Sequence, residues 1–421
     1  MTTGAEVIEL ELDVGAVAHG GFCIARHDGR VVFVRHALPG ERVRARITED
    51  RGGSFVRADA VQIIVPSPDR VEPPCRYAGA GGCGGCDWQH VTAQRQRELK
   101  ADVVREQFRR IAGLDVAALL GEVRELPGGM LGWRTRITYA VDGDGRPGLH
   151  RHRSGEVVPV AECLLGTAGV GDSAVLRDEW PGLTGVEVTR DDDGTVAVLA
   201  HRPGPGRQAR GRRPPDRVEV VRGPDELART IRGRRFAVGA AGFWQVHPGA
   251  ADAFGQALLG VLRPAAGETV VDLYCGAGAL TAALGTAVGV TGRVVGIEAD
   301  PEAVRHAQAN LADLPWVQVR RGRVDVATIR SLGLSDGPAK PDLFVVDPPR
   351  AGVGQQVMAE LLALTPRAIG YVACDPAALA RDVAVAVAAG WRLDALEAID
   401  AFPMTHHVEC IARLVPTPTG G

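Results

Sequence analysis

Two apolar runs in the second half of the chain end in residues that can do chemistry. Ala368-Ile369-Gly370-Tyr371-Val372 leads into Ala373-Cys374-Asp375-Pro376, and Leu343-Phe344-Val345-Val346 leads into Asp347-Pro348-Pro349-Arg350. Both read as strands of a parallel sheet, and such sheets hold their ligands at the carboxyl ends of the strands. A cysteine at that place, ahead of a helix over 377–389, can be kept as a nucleophilic thiolate by the helix N-terminus and a nearby arginine. An arbitrary cysteine is more often a small buried side chain, so it is its position that makes Cys374 a candidate.

A third run, Val270-Val271-Asp272-Leu273, passes through Tyr274-Cys275 into the turn Gly276-Ala277-Gly278 and an apolar helix. Glycines there let backbone approach a ligand closely. The next strand, Val294-Val295-Gly296-Ile297, ends at Glu298, where a carboxylate can accept both hydroxyls of a ribose. A lone G-x-G could serve NAD, but Leu280 and Thr281 stand where a dinucleotide fingerprint places its third glycine. No pyrophosphate cradle is evident, which favours S-adenosylmethionine. Cys275 reads as packing beside this loop.

The fourth set is metal-like. Cys75, Cys83 and Cys86 form C-x7-C-x2-C among glycines 79, 81, 82, 84 and 85, and Cys163 is the next cysteine along. Two thiolates at C-x2-C spacing can face one centre, and four can hold either zinc or a [4Fe–4S] cluster. Spacing alone leaves both open.

These residues need scaffolds to hold them. At 421 residues the chain exceeds one ordinary core, so the reading is multidomain. Residues 1–63 alternate as short strands (Ile8, Leu10, Leu12 and Val14, then Val31–Val34, Val43–Ile47 and Ala58–Val65) and fit an OB-like β-barrel. Residues 64–240 form a central α+β domain carrying the cysteines. A helix over 92–112 in it, with Leu99, Val103, Val104, Phe108 and Ile111 on one side, is expected to pack on the catalytic domain. Residues 241–421 alternate strand and helix as a Rossmann-like α/β domain.

The motifs agree on one family. Gly29–Val34, Leu38-Pro39-Gly40-Glu41 and Ser67-Pro68 through Cys75 resemble a TRAM domain, an RNA-binding barrel. Cys83–His90 with Gln94, Gln96 and Lys100, then Gly148–Arg153 and Val158–Cys163, resemble the iron–sulfur region of the 23S rRNA uracil-5-methyltransferases. Asp272–Gly276 is similar to the first motif of class I methyltransferases. Tyr371–Pro376 resembles the family's nucleophile motif, with Asp375 where Asn is usual, and Asp400–Glu409 resembles its C-terminal motif. The resemblance implies Cys374 as nucleophile and Glu409 as base. It implies Gln245, Tyr274, Glu298 and Asp347 as S-adenosylmethionine contacts, and Cys75, Cys83, Cys86 and Cys163 as cluster ligands. The substrate it implies is a uridine in RNA, rRNA ahead of tRNA. His90, His407 and Cys410 read as structural.

Uracil chemistry explains the pair. C5 is too weak to attack a sulfonium until a thiolate adds to C6 and turns C4–C5 into an enolate. After methylation the C5 proton must leave so that the thiolate can depart, which takes one cysteine and one base. A cytosine-5 methyltransferase would use the same logic, but with its cysteine after a proline, and Cys374 follows Ala373. An RNA chaperone on this scaffold would have lost one of the pair. A small-molecule methyltransferase would have no use for the barrel.

Net charge is −3, yet eleven arginines between Arg202 and Arg235 face only Asp216, Glu219, Asp225 and Glu226. That stretch reads either as a phosphate-binding patch or as a solvated insertion. The N-terminal residues lack a signal peptide's basic and apolar regions, and no apolar run is long enough for a membrane span, so a cytoplasmic protein is expected.

Overall fold

The computed structural model describes residues 8–204, 215–332 and 340–418. In the barrel, alternation does what the sequence demands. Leu12, Val32, Val34, Val43, Ala45, Val56 and Ala58 point inward and are buried, while the intervening charged residues face out. Five strands form the sheet, in the order Glu9–Asp13, Arg42–Asp50, Phe55–Val65, Arg30–Arg35, Cys23–His27. The strand Cys23–His27 was not anticipated, since its apolar residues are few; it pairs antiparallel with Arg30–Arg35 across the Asp28-Gly29 turn.

The central region builds an antiparallel sheet of six strands, from Arg217–Arg222 at one edge to Val157–Pro159 at the other. Its helix Ala93–Gln107 continues as a wider turn over Phe108–Ala112 and stops at Gly113, whose φ of 66° is the left-handed cap glycine favours. Val104 and Phe108 are fully buried in one cluster with Leu379, Val383 and Leu396 of the catalytic part. Burial of such a side chain stabilises by about 1.5–3 kcal/mol.

The C-terminal sheet runs in the order Val317–Arg321, Arg293–Glu298, Thr269–Leu273, Leu343–Val346, Ala368–Ala373, Glu409–Pro416, Trp391–Asp400, Arg124–Glu125. The first five are mutually parallel, and Glu409–Pro416 is antiparallel to both neighbours. Strand order reverses between Thr269–Leu273 and Leu343–Val346, opening a crevice at their carboxyl ends. Tyr371 and Asp382 brace that rim: Asp382 accepts from Tyr371 Oη at 2.7 Å and from Val353 N–H at 2.7 Å, which fixes the turn after Asp347-Pro348-Pro349-Arg350.

Within the described part of the arginine stretch, charges are met by acids that composition alone did not place there. Arg202, Arg222, Arg229, Arg232, Arg234 and Arg235 each stand against a carboxylate: Glu219, Asp178, Asp192, Asp252, Asp313 and Asp193 respectively. Five of those acids, all but Glu219, lie outside 202–235 and are brought there by folding, so local charge counting missed them. Arg207, Arg210, Arg212 and Arg213 lie outside the described residues. Among the described residues no helix is long and apolar enough to cross a membrane.

Candidate active site

The crevice holds a cavity lined by Phe243, Gln245, Phe254, Tyr274, Gly276 and Asp347, with Cys275 in its wall. Three of the four expected cofactor contacts therefore meet there. Glu298 stands beside it, accepting from Gly276 N–H at 3.1 Å and from Ala299 and Asp300 N–H at 2.6 and 2.8 Å. Tyr274 takes a left-handed backbone, φ 65°, a strained state for a bulky residue and one that clusters at functional sites. Behind the loop, buried Asp272 accepts from Thr281 Oγ1 at 2.6 Å. Burial, with Asp272 as a second negative neighbour, pushes the Asp347 carboxyl up to about 7. A positive ligand in this cavity would relieve that cost.

A second cavity lies along the same rim, lined by His19, Arg350, Cys374, Asp375, His406 and His407. Cys374 is half-buried between the strand Ala368–Ala373 and the helix Pro376–Ala388. The register sets its partner: Ala373 pairs with Cys410, so Glu409 is the residue across from Cys374. Glu409 is 4% exposed, and Cys410 is fully buried in the core.

The electrostatics correct one expectation. Cys374 is not held as a thiolate; burial first and then Glu409 push its thiol up to about 11, while Arg350 pulls it down. The helix end gives little help because Pro376 has no N–H and Asp375, the N-cap, already accepts from Ala378 N–H at 2.8 Å. Glu409 is itself raised well above the usual glutamate range by burial and by Asp347, with Arg350 opposing. In the chain alone, both shifts favour the protonated forms.

Several cavity residues were missed or misjudged from sequence. His407, which the sequence reads as structural ahead of a catalytic helper, lines the cavity and brings Nε2 to 3.3 Å from Arg350 Nη2. His19 reaches in from the barrel, its Nε2 3.3 Å from Asp375 Oδ2. Nothing in the local sequence marks His19, because only the domain arrangement puts it there. Lys100 and Asp400 form a fully buried ion pair at 2.6 Å, and Lys100 also donates to Phe402 O at 3.0 Å.

Cys75, Cys83, Cys86 and Cys163 line one further cavity together with apolar Leu149 and Val160. Gly85 N–H donates to Cys83 Sγ at 3.3 Å, and Gln89 Nε2 donates to Cys86 Sγ at 3.1 Å. A Cβ on Gly84 would stand 2.4 Å from His152 N, so only glycine allows the cysteine loop to close on the strand carrying His150. Among the described residues, no three His, Cys, Asp or Glu groups gather about a point that could hold a single metal ion.

Comparison with known proteins agrees with this layout. A family model for the TRAM domain matches residues 6–61, one for "Methyltransferase small domain" matches 248–368, and one for "tRNA (Uracil-5-)-methyltransferase" matches 333–415. The chain is 44% identical to an uncharacterized RNA methyltransferase of Streptomyces avermitilis, over 98% of this chain and 99% of that protein. It is 45% identical to one of Streptomyces coelicolor, over 98% of this chain and 94% of that protein. Among solved structures, the Pyrococcus abyssi tRNA (uracil-54, C5)-methyltransferase in complex with S-adenosyl-L-homocysteine superposes with a TM-score of 0.68 at 20% identity, covering 96% of this chain and all of that one. With its barrel, its crevice and its C-terminal motif region so matched, the chain belongs to the RNA uracil-5-methyltransferase family and is an S-adenosylmethionine-dependent RNA methyltransferase.

Proposed function

We propose that the chain methylates C5 of a uridine in structured RNA through a covalent bond between Cys374 Sγ and C6, with Glu409 removing the C5 proton. The observation that carries this is the register that sets buried Glu409 beside Cys374, which itself lines a cavity at the rim of the crevice that holds Asp347. S-adenosylmethionine supplies the methyl group and, as a sulfonium, a positive charge. Gln245, Tyr274, Glu298 and Asp347 are the residues we assign to hold it.

Cys374 releases its proton to water and its thiolate adds to C6, while the C5–C6 double-bond electrons shift to make the C4–C5 double bond of an enolate with its charge on O4. C5 then takes the methyl group as the S–CH₃ bond breaks. Glu409 takes the C5 proton, the C5–C6 double bond re-forms, and the Cys374–C6 bond breaks with its electrons returning to sulfur. The raised pKa values suit this order. A positive charge near Asp347 favours the ionised forms of Asp347, Glu409 and Cys374 together. Once that charge is gone, buried Glu409 is a stronger base, at the step where a base is needed.

We assign the four cysteines, which line one cavity, to a [4Fe–4S] cluster; zinc, the alternative with the same donor type, would need their thiolates drawn in to a single point. The sulfur-directed N–H groups of Gly85 and Gln89 and the apolar wall are what such a centre takes as surroundings. The methyl transfer needs no electron, so the centre would tie the loop 75–86 to Cys163. We carry ribosomal RNA as the substrate class, on the likeness of residues 83–90 to the 23S rRNA enzymes; the fold neighbour acts on tRNA.

The test is Cys374→Ala with labelled S-adenosylmethionine and RNA from a deletion strain, separated into rRNA and tRNA. Loss of transfer with cofactor affinity retained supports the reading, and transfer at the wild-type rate ends it. Mass mapping of the labelled fraction assigns the uridine.

A further inference from the structure

Asp87 directly follows Cys86 and is buried where the barrel, the cysteine loop and the catalytic domain meet. Its Oδ2 accepts from the backbone N–H of His406 at 3.1 Å and lies 2.7 Å from that residue's Nδ1. The backbone N–H groups of Asp87 and Trp88 both donate to Met404 O at 3.0 Å. From the barrel, buried Arg35 brings its guanidinium to 3.8 Å from Asp87 Oδ1. Trp88 Nε1 donates to Gly21 O at 3.2 Å.

The packing at this junction is close. A Cβ on Gly21 would stand 3.0 Å from Cβ and Cγ of Asp87 and 3.0 Å from Cβ of His406, and Gly21 has φ +82°. No other residue fits there without moving one of the three parts.

What these contacts hold is the segment leading into Glu409. Met404 takes a left-handed φ of 68°, a conformation that persists in a bulky residue only where its surroundings impose it. Its N–H donates to Gln96 Oε1 at 2.8 Å, and its carbonyl is the one bound from Asp87 and Trp88. Two residues on, the His406 ring lies 4.1 Å from that of His407, which meets Arg350 at the cavity of Cys374. Asp87 thus lines neither cavity, yet its partner His406 lines the cavity of Cys374 and His407 extends the contact to Arg350.

We propose that Asp87 is a positioning residue for methyl transfer. It fixes His406, and through it His407, Arg350 and the approach to Glu409, so that a docked barrel and a closed cysteine loop are conditions for a competent site. The inference rests on the reading of Cys374 and Glu409 as the reacting pair. It gives the cysteine loop a duty in catalysis rather than in RNA affinity.

The test compares Asp87→Asn, Asp87→Ala and Gly21→Ala in the full chain. Four quantities are measured: Kd for an RNA fragment, Kd for S-adenosylmethionine, the single-turnover methyl-transfer rate, and the rate of covalent adduct formation with RNA carrying 5-fluorouridine, which has no C5 proton to lose. Positioning predicts that Asp87→Ala and Gly21→Ala slow both rates by about 10- to 100-fold, while both Kd values stay within about twofold. Asp87→Asn, which keeps an acceptor for the His406 N–H, slows them less. Gly21→Ala lies far in sequence from the cysteines, so it stays informative should Asp87→Ala disturb the loop. Unchanged rates in all three variants overturn the proposal, and so does a loss confined to RNA affinity. If the wild type methylates RNA but forms no adduct, the reaction reading fails, while the transfer rates still decide on Asp87.

Discussion

Cys374 and Glu409 face each other across two antiparallel strands: Ala373 pairs with Cys410, and the next step along each strand brings the thiol-bearing residue opposite the carboxyl-bearing one. The register thus brings a thiol and a buried carboxyl to the end of one strand pair, the arrangement on which the proposed reaction rests. The relationship is made by the chain reversal that inserts Glu409–Pro416 beside Ala368–Ala373, so it is a property of the sheet and not of a mobile loop.

Adduct formation will rise with pH. With the thiol up at about 11, the reactive thiolate is a small fraction at neutral pH and grows about tenfold per pH unit below that value. Arg350 is the charge that lowers it, so Arg350→Gln should raise the Cys374 pKa and slow adduct formation by a similar factor at pH 7.5 and at pH 9.5, both of which lie below that value. Single-turnover gel assays across that range check this; a flat pH profile for wild type would contradict it.

Glu409→Gln should be more heat-stable than wild type in alkaline buffer. The folded pKa of Glu409 lies above its ordinary value of 4.5, so the folded state holds this proton more tightly than the unfolded chain. Stability from this group is fully present below 4.5 and is lost as pH rises toward the folded pKa. A glutamine has no proton to lose. The Tm difference should therefore grow from pH 5 to pH 8, and a constant difference would mean that Glu409 ionises freely.

Cys83→Ser and Cys86→Ser, purified without oxygen, should lose the broad visible absorption of the wild type along with thermal stability. A colourless wild-type protein containing one zinc per chain would replace the cluster assignment and leave the methyl-transfer reading untouched.

Lys100→Met should destabilise the fold by about 3–5 kcal/mol, because it leaves Asp400 buried with its charge uncompensated. The double variant Lys100→Met/Asp400→Leu should recover a large part of that loss. Chemical denaturation of the three proteins measures it; equal stability for the single variant and wild type would mean the pair is open to water.

Much of the fold was legible because its signals are local. Alternation marked Leu10 to Val14, and apolar runs ending at Asp272, Glu298, Asp347 and Cys374 marked the parallel strands. The residues that escaped act over long sequence separations. His19 is a barrel residue until it meets Asp375, and Asp87 is a loop residue until it meets His406. The arginines from 202 to 235 looked unopposed because Asp178, Asp252 and Asp313 lie outside that window. The protonated state of Cys374 was misread for a related reason. A helix start was visible in sequence, whereas the burial and the Glu409 carboxyl that outweigh it were not.

The identity of the residue bound to RNA decides the proposed mechanism most directly. Glu409→Gln mixed with RNA and S-adenosylmethionine should stall after methylation, leaving an RNase-sensitive adduct that peptide mass mapping places on Cys374, with C5 already methylated. Normal turnover by this variant without any adduct, or an adduct mapped to Cys275 or Cys410, would contradict it.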